Sequence, residues 1–265
     1  MNKFNYKVAV TVFAFQIFSA LFIYTDVKAQ TINNPLPLKL GATSEFSLDR
    51  DERSFYKISL PAGSFKIVLD TRRENERGSN LQSNLSVLDQ NGAPVASNVI
   101  NFNQIDVDYR KVHSVSLKTP KTYIFKISSD QNDTKFWLTV LKNTDATPFP
   151  FFGNIVPTPI LLNETKTGSL EMGESVYYLM PLKKGNYKAV LDFANAEGKN
   201  TNIQGYLALL NADGGNQEQL IVMNEIDVAF RRVGSFMLKN DVTHIVRIKN
   251  DNYPINYTLK IIPAE

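Results

Sequence analysis

Displaced by 121 or 122 residues, the chain lines up with itself, and that internal repeat limits its fold more than any other feature. Phe65-Lys66-Ile67-Val68-Leu69-Asp70 falls on Tyr187-Lys188-Ala189-Val190-Leu191-Asp192, with Gly63 and Gly185 leading the two segments. Asn80-Leu81-Gln82 falls on Asn202-Ile203-Gln204, and Leu85, Val87, Leu88 and Gly92 fall on Leu207, Leu209, Leu210 and Gly214. The longest block sets Asn103-Gln104-Ile105-Asp106-Val107-Asp108-Tyr109-Arg110-Lys111-Val112 against Asn224-Glu225-Ile226-Asp227-Val228-Ala229-Phe230-Arg231-Arg232-Val233. Any two β domains share apolar alternation, but alternation does not reproduce Asn, Asp and Arg at fixed places. The chain therefore reads as two copies of one module.

The module is β. Phe55, Lys57 and Ser59 alternate with Tyr56, Ile58 and Leu60, and Tyr123, Phe125 and Ile127 with Thr122, Ile124 and Lys126. Between such runs stand turn formers: Pro61-Ala62-Gly63, Gln90-Asn91-Gly92, Lys183-Lys184-Gly185, Asp213-Gly214-Gly215 and Asn250-Asp251-Asn252. No helical apolar stripe runs for three turns after residue 30. The polar stretches 71–79 and 194–200 read as loops. This spacing predicts an all-β chain of two tandem jelly-roll-like antiparallel sandwiches, with about eight to ten strands each. One face of each sheet should be buried and the other solvated. In the longest block, Ile105, Val107 and Tyr109 point one way and Asp106, Asp108 and Arg110 the other. Val112, and Val233 in the second copy, then fall out of phase, which predicts a bulge or a bend between strands.

The flanks of the repeat have their own character. Lys3 and Lys7 precede an apolar run over residues 8–24, and Val27-Lys28-Ala29 supplies a small-residue cleavage pattern before Gln30. This is the layout of a secretory signal over 1–29, with an uncleaved membrane anchor as the competing reading. Export to the medium or periplasm is the expectation. The chain has no cysteine, so no disulfide, lipidated cysteine or thiolate metal site is available, and each core must hold by apolar burial alone. The first sandwich is expected over 30–142 and the second over 160–265. The segment 143–159 between them holds Pro148, Pro150, Pro157 and Pro159 with Phe149, Phe151 and Phe152. It reads as a stiff linker whose phenylalanines form an exposed recognition patch or, on the plainer reading, pack into the crevice between the halves.

Each copy resembles the bacterial pre-peptidase C-terminal type of domain, a jelly-roll-like β-sandwich. In the first copy the resemblance rests on Gly41-Ala42-Thr43 opening a strand to Leu48, a polar turn over 49–53, and Tyr56, Ile58 and Leu60. It continues through Pro61-Ala62-Gly63-Ser64-Phe65-Lys66-Ile67, the segment 85–92, and a closing Thr122-Tyr123-Ile124-Phe125-Lys126-Ile127. Its counterparts in the second copy are 167–170, 171–175, Tyr177 with Leu179, Lys184-Gly185-Asn186-Tyr187, 207–214 and 244–248. The glycine that usually precedes the late tyrosine strand is Lys121 in one copy and Val242 in the other. The resemblance covers most of 36–141 and 160–262. It implies a non-catalytic accessory module concerned with substrate binding, solubility or export, although no peptidase domain stands beside it here.

Chemistry is sparse. The only imidazoles, His113 and His244, fall at non-equivalent places in the repeat. No metal-binding helix pair and no glycine-flanked serine elbow is present. Removing Lys3, Lys7, Lys28 and Asp26 from 29 basic and 26 acidic residues leaves a net charge of +1, which argues against nucleic acid as a partner. The feature most like a site is Asp106 with Arg110, repeated as Asp227 with Arg231. Residues four apart on a strand lie about 13 Å apart, so each must pair across strands or face a ligand. The plainer reading is a cross-strand salt bridge; the sharper one is a ligand contact on a concave sheet face. Asp89-Gln90-Asn91-Gly92 and Asn211-Ala212-Asp213-Gly214 carry oxygen donors but read as hairpin turns before calcium loops. No cofactor and no metal is expected. The expected function is non-catalytic binding or scaffolding, with a glycan or an extracellular or envelope protein as ligand and a membrane only if the signal stays uncleaved. The alternatives are a structural envelope component held by an anchor or self-association, and a hydrolase with a site between the halves.

Overall fold

The computed structural model describes residues 23–24, 31–74, 81–104, 108–144, 150–215 and 217–264. The segment expected to be a signal, apart from Ile23 and Tyr24, its expected cleavage position at Ala29, Asp106 with its neighbours Ile105 and Val107, and Phe149 lie outside them. Among the described residues the chain is built of strands: β1 (Ile23–Tyr24), β2 (Leu36–Pro37), β3 (Thr43–Leu48), β4 (Arg53–Leu60), β5 (Gly63–Arg73), β6 (Leu81–Asp89), β7 (Pro94–Gln104), β8 (Asp108–Leu117), β9 (Lys121–Ser129) and β10 (Thr134–Lys142). The second half follows with β11 (Thr158–Pro159), β12 (Thr165–Leu170), β13 (Ser175–Leu182), β14 (Gly185–Asn195), β15 (Thr201–Asn211), β16 (Gln217–Asp227), β17 (Ala229–Leu238), β18 (Val242–Asn250) and β19 (Ile255–Pro263).

Two sheets form each half, and their orders correspond. The first half pairs β3-β10-β5-β8 over β4-β9-β6-β7; the second pairs β12-β19-β14-β17 over β13-β18-β15-β16. These are the interleaved strand orders of a jelly roll. Two-residue strands extend three edges in parallel: β1 beside β3, β2 beside β4, and β11 beside β13. Alternation builds the cores. Phe65, Ile67 and Leu69 of β5 face Tyr56, Ile58, Phe125 and Ile127 in one sandwich, while Tyr187, Ala189, Leu191 and Phe193 of β14 belong to the other. Each fully buried Leu or Phe contributes on the order of 1.5–3 kcal/mol, which is what holds sandwiches that have no cross-links.

Three expectations need correction. Val112 is not displaced by a bulge: β5 and β8 stay in register from Gly63↔Leu117 to Arg72↔Asp108. It lies on the outer face with Asp108 and Arg110, and that face is itself covered. The other alternative, a bend between strands, is what the second copy has, at Val228 between β16 and β17; the register shifts lie in β6–β7 and β15–β16. Second, Thr71, Arg72 and Arg73 continue β5, and Ala194 and Asn195 end β14, because the paired strands β10 and β19 run on beside them. Third, a sheet with one wet face does not describe β3-β10-β5-β8 or β13-β18-β15-β16, since their outer faces meet.

Candidate functional site

The two halves are joined face to face. Trp137 of β10 lies against Phe151 and Phe152 of the connecting segment, and these lie against Tyr177, Tyr206, Leu210 and Ile245 of the second half. The Phe151 ring stacks on Tyr177 at 4.2 Å between centroids, and Trp137 meets Phe152 edge-on at 5.3 Å. Large rings reach across because neither sheet can bring its own backbone close to the other; sheets pack about 10 Å apart. Space beside Phe151 is made by Gly214, at φ +77°, where an added Cβ would stand 2.5 Å from the Phe151 ring.

Charged groups are buried around this apolar centre. Asp70 of β5 and Arg110 of β8 face each other in register and form a two-pronged pair at 2.6 and 2.7 Å. Arg110 also donates to the Pro150 carbonyl at 2.6 Å and lies 3.8 Å over the Phe151 ring, while the Phe152 amide donates to Asp70 at 2.7 Å. One turn of pleat away, Asp108 accepts from Arg247 at 2.5 Å and from Lys249 at 2.6 Å, with Arg72 at 3.8 Å. Burial alone would push the Asp108 carboxyl up. Arg247, Lys249 and Arg72 outweigh it and hold the group at about 2, so it is ionised at neutral pH. Lys66 pairs with Asp213 across the same joint at 3.2 Å. Such groups cost several kcal/mol to desolvate, and mutual pairing offsets that cost.

The second half carries the same device in the open. Asp192 and Arg231 pair in the equivalent register between β14 and β17, at 2.6 and 2.9 Å. Yet the Arg231 side chain is 67% exposed where that of Arg110 is 1% exposed. The pair edges a concavity of ≈ 430 Å³ with Ala229, Phe230, Tyr257 and Thr258 in its lining. Both arginines expected at a site make cross-strand salt bridges, Arg110 with Asp70 and Arg231 with Asp192. Asp227 is exposed at the end of β16 and accepts the Val228 amide at 2.6 Å. Arg110 lies inside the joint and Arg231 on a free face with Asp227 exposed beyond it, so the three expected residues that are described do not meet in one place.

Sequence reasoning missed Asp70, Asp192, Asp108, Arg247 and Lys249. The first two stood in view, since they end the matched blocks of β5 and β14. Asp108 falls on Ala229 in the repeat, so symmetry drew no attention to it. In the turns, Asp89 accepts the amides of Asn91 and Ala93, and Asp213 that of Gly215, as hairpin-closing side chains do. His244 directs Nδ1 at the Leu210 carbonyl at 3.1 Å, and His113 pairs with Ile67 in the other half. Among the described residues no group of three or more His, Asp and Glu side chains is placed to hold a metal ion.

No protein-family model matches the chain, and no curated protein matches it. Solved structures do. The chain is similar to the pre-peptidase C-terminal domain of a Bacillus anthracis collagenase, at 15% identity over 40% of this chain and 94% of that one, with a TM-score of 0.29. It is similar to the tandem CBM22 domains of Paenibacillus barcinonensis Xyn10C, at 14% identity over 78% and 82% of the two chains, TM-score 0.25. It is also similar to the PBSX exported protein XepA, at 11% identity over 85% and 88%, TM-score 0.27. Likeness at this level carries nothing about ligand or activity, and the sandwich architecture rests on the strand orders themselves.

Proposed function

We propose that this is an exported, non-catalytic binding or scaffolding protein whose working surface is the outer face of β12-β19-β14-β17. One observation carries the reading. The first half uses the same face, with the same Asp–Arg pair, to hold another folded sheet, and the second half leaves it open to solvent. A rigid sheet presents such groups with little ordering cost, which suits a docking surface. Protein is the ligand class this face supports best. The position that Trp137 takes in the first half is Thr258 in the second, so the face lacks the flat aromatic platform on which a sugar ring would rest. The signal-like residues 1–29 support export, and a processed form beginning at Gln30 in fractionated cells is the expected result.

The test is binding by the processed protein to extracellular proteins and to a glycan array, each repeated with Arg231→Glu. Loss of a bound protein on that substitution supports the reading. Binding that ignores Arg231, or a hydrolytic activity that survives it, overturns the assignment of this face.

A further inference from the structure

Building on that reading of the open face, we propose that its occupant is the first sandwich of a second copy of this chain, so that copies associate head to tail. The joint inside the chain is heterologous: the outer β3-β10-β5-β8 face of one sandwich sits on the outer β13-β18-β15-β16 face of the next. Two faces are left over, one of each kind, at opposite ends of the pair.

The free donor face keeps most of the docking residues. Lys188, Asp192, Arg231 and Val233 occupy the register positions of Lys66, Asp70, Arg110 and Val112. Val233 is 55% exposed, whereas Val112 lies under Gly215 of the partner sandwich. The free acceptor face keeps part of its apolar floor, while Leu179, Tyr206 and Ala208 of the joint are Lys57, Asn84 and Ser86 there. Phe55, Leu88 and Ile124 stand where Tyr177, Leu210 and Ile245 stand. Ile32 already packs on that floor and against Gly92, as Phe151 packs against Gly214.

The buried charge cluster of the joint is changed on both free faces. Asp108 is replaced on the free donor face by Ala229, and its partners Arg247 and Lys249 are replaced on the free acceptor face by Lys126 and Ser128. One cation, Lys126, then stands at the Arg247 position with no acid opposite it, which weakens the contact between copies relative to the joint. Losing the counterparts of Trp137 and Arg72 as well makes the contact between copies weaker than the one inside the chain. The association is therefore reversible and open-ended, adding one chain at a time.

The test is sedimentation velocity over a concentration series, on the protein as its expressing cell processes it. Wild type should pass from monomer through dimer to longer species. Val233→Asp damages only the donor face; Asn91→Lys, in the turn equivalent to that of Asp213, sets a cation against Lys188 and damages only the acceptor face. Each alone should remain monomeric with an unchanged melting temperature, and an equimolar mixture should form a one-to-one pair and nothing longer. Asn91→Asp restores the carboxylate that Asp213 offers Lys66 and should tighten association severalfold. A chain that stays monomeric to about 1 mM overturns the proposal, as does a dimer that ignores Asn91→Lys, or association that both variants leave intact. If the chain is monomeric yet still captures an extracellular protein through Arg231, the head-to-tail contact fails while the binding reading stands; if neither occurs, both fail.

Discussion

Asp108 and Arg247, 139 residues apart in the chain, meet at 2.5 Å in a joint where their side chains are 2% and 3% exposed. Lys249 completes the cluster at 2.6 Å. Truncating the one acid strands two buried cations. Asp108→Ala should therefore cost about 3–5 kcal/mol of stability, read as a lower urea midpoint. A loss under about 1 kcal/mol would mean that water reaches the cations and that the joint is looser than described.

The two Asp–Arg pairs allow an internal comparison, because sequence and register match and only burial differs. Arg110→Ala removes a buried partner of Asp70 and of the Pro150 carbonyl, and should also cost about 3–5 kcal/mol. Arg231→Ala, on the open face, should leave the urea midpoint unchanged within error. Equal effects from the two substitutions would contradict the burial of one pair and not the other.

The joint should weaken in acid. The Asp108 carboxyl is held at about 2 in the folded chain, below the usual carboxylate range. A group with a lowered folded pKa contributes stability that is complete above its unfolded pKa of about 3.9 and is lost as pH falls toward the folded value. Between about pH 4 and pH 2, stability should decline, and the decline should be smaller in Asp108→Asn, which has no charge there to lose. The single tryptophan, Trp137, lies in the joint and reports its opening by a red shift in emission. An acid transition of the same size in Asp108→Asn would assign the loss to other carboxylates.

Two glycines separate backbone strain from packing. Gly173 and Gly214 have φ of +79° and +77°, but an added Cβ meets nothing within 4 Å at the first and the Phe151 ring at 2.5 Å at the second. Gly173→Ala should cost about 1 kcal/mol for the left-handed backbone. Gly214→Ala should add a further ~1–3 kcal/mol of overpacking. Equal melting temperatures for the two variants would show that Phe151 yields freely and is not a fixed wedge.

Much of the fold was legible in the residues. Period-two alternation at Tyr56, Ile58 and Leu60 or at Tyr123, Phe125 and Ile127 specifies strands with one apolar face. Gly63, Gly92, Gly185 and Gly214 mark turns that only a residue free of a Cβ adopts readily. Repetition of Asn, Asp and Arg at a fixed offset shows that what forms once forms twice. These are local facts, each decided by a residue and its near neighbours. What the outer faces do is not local. Asp70, Asp108 and Arg110 alternate with apolar residues as any solvated face does, and period two is the same whether the polar side meets water or another sheet. Only the tertiary structure decides that Arg110 is buried and Arg231 is not, because that depends on which sandwich lies across from each. Buried charge is stable there through partners contributed by strands far away in sequence, Arg247 and Lys249 above all, and alternation within one strand carries no record of them.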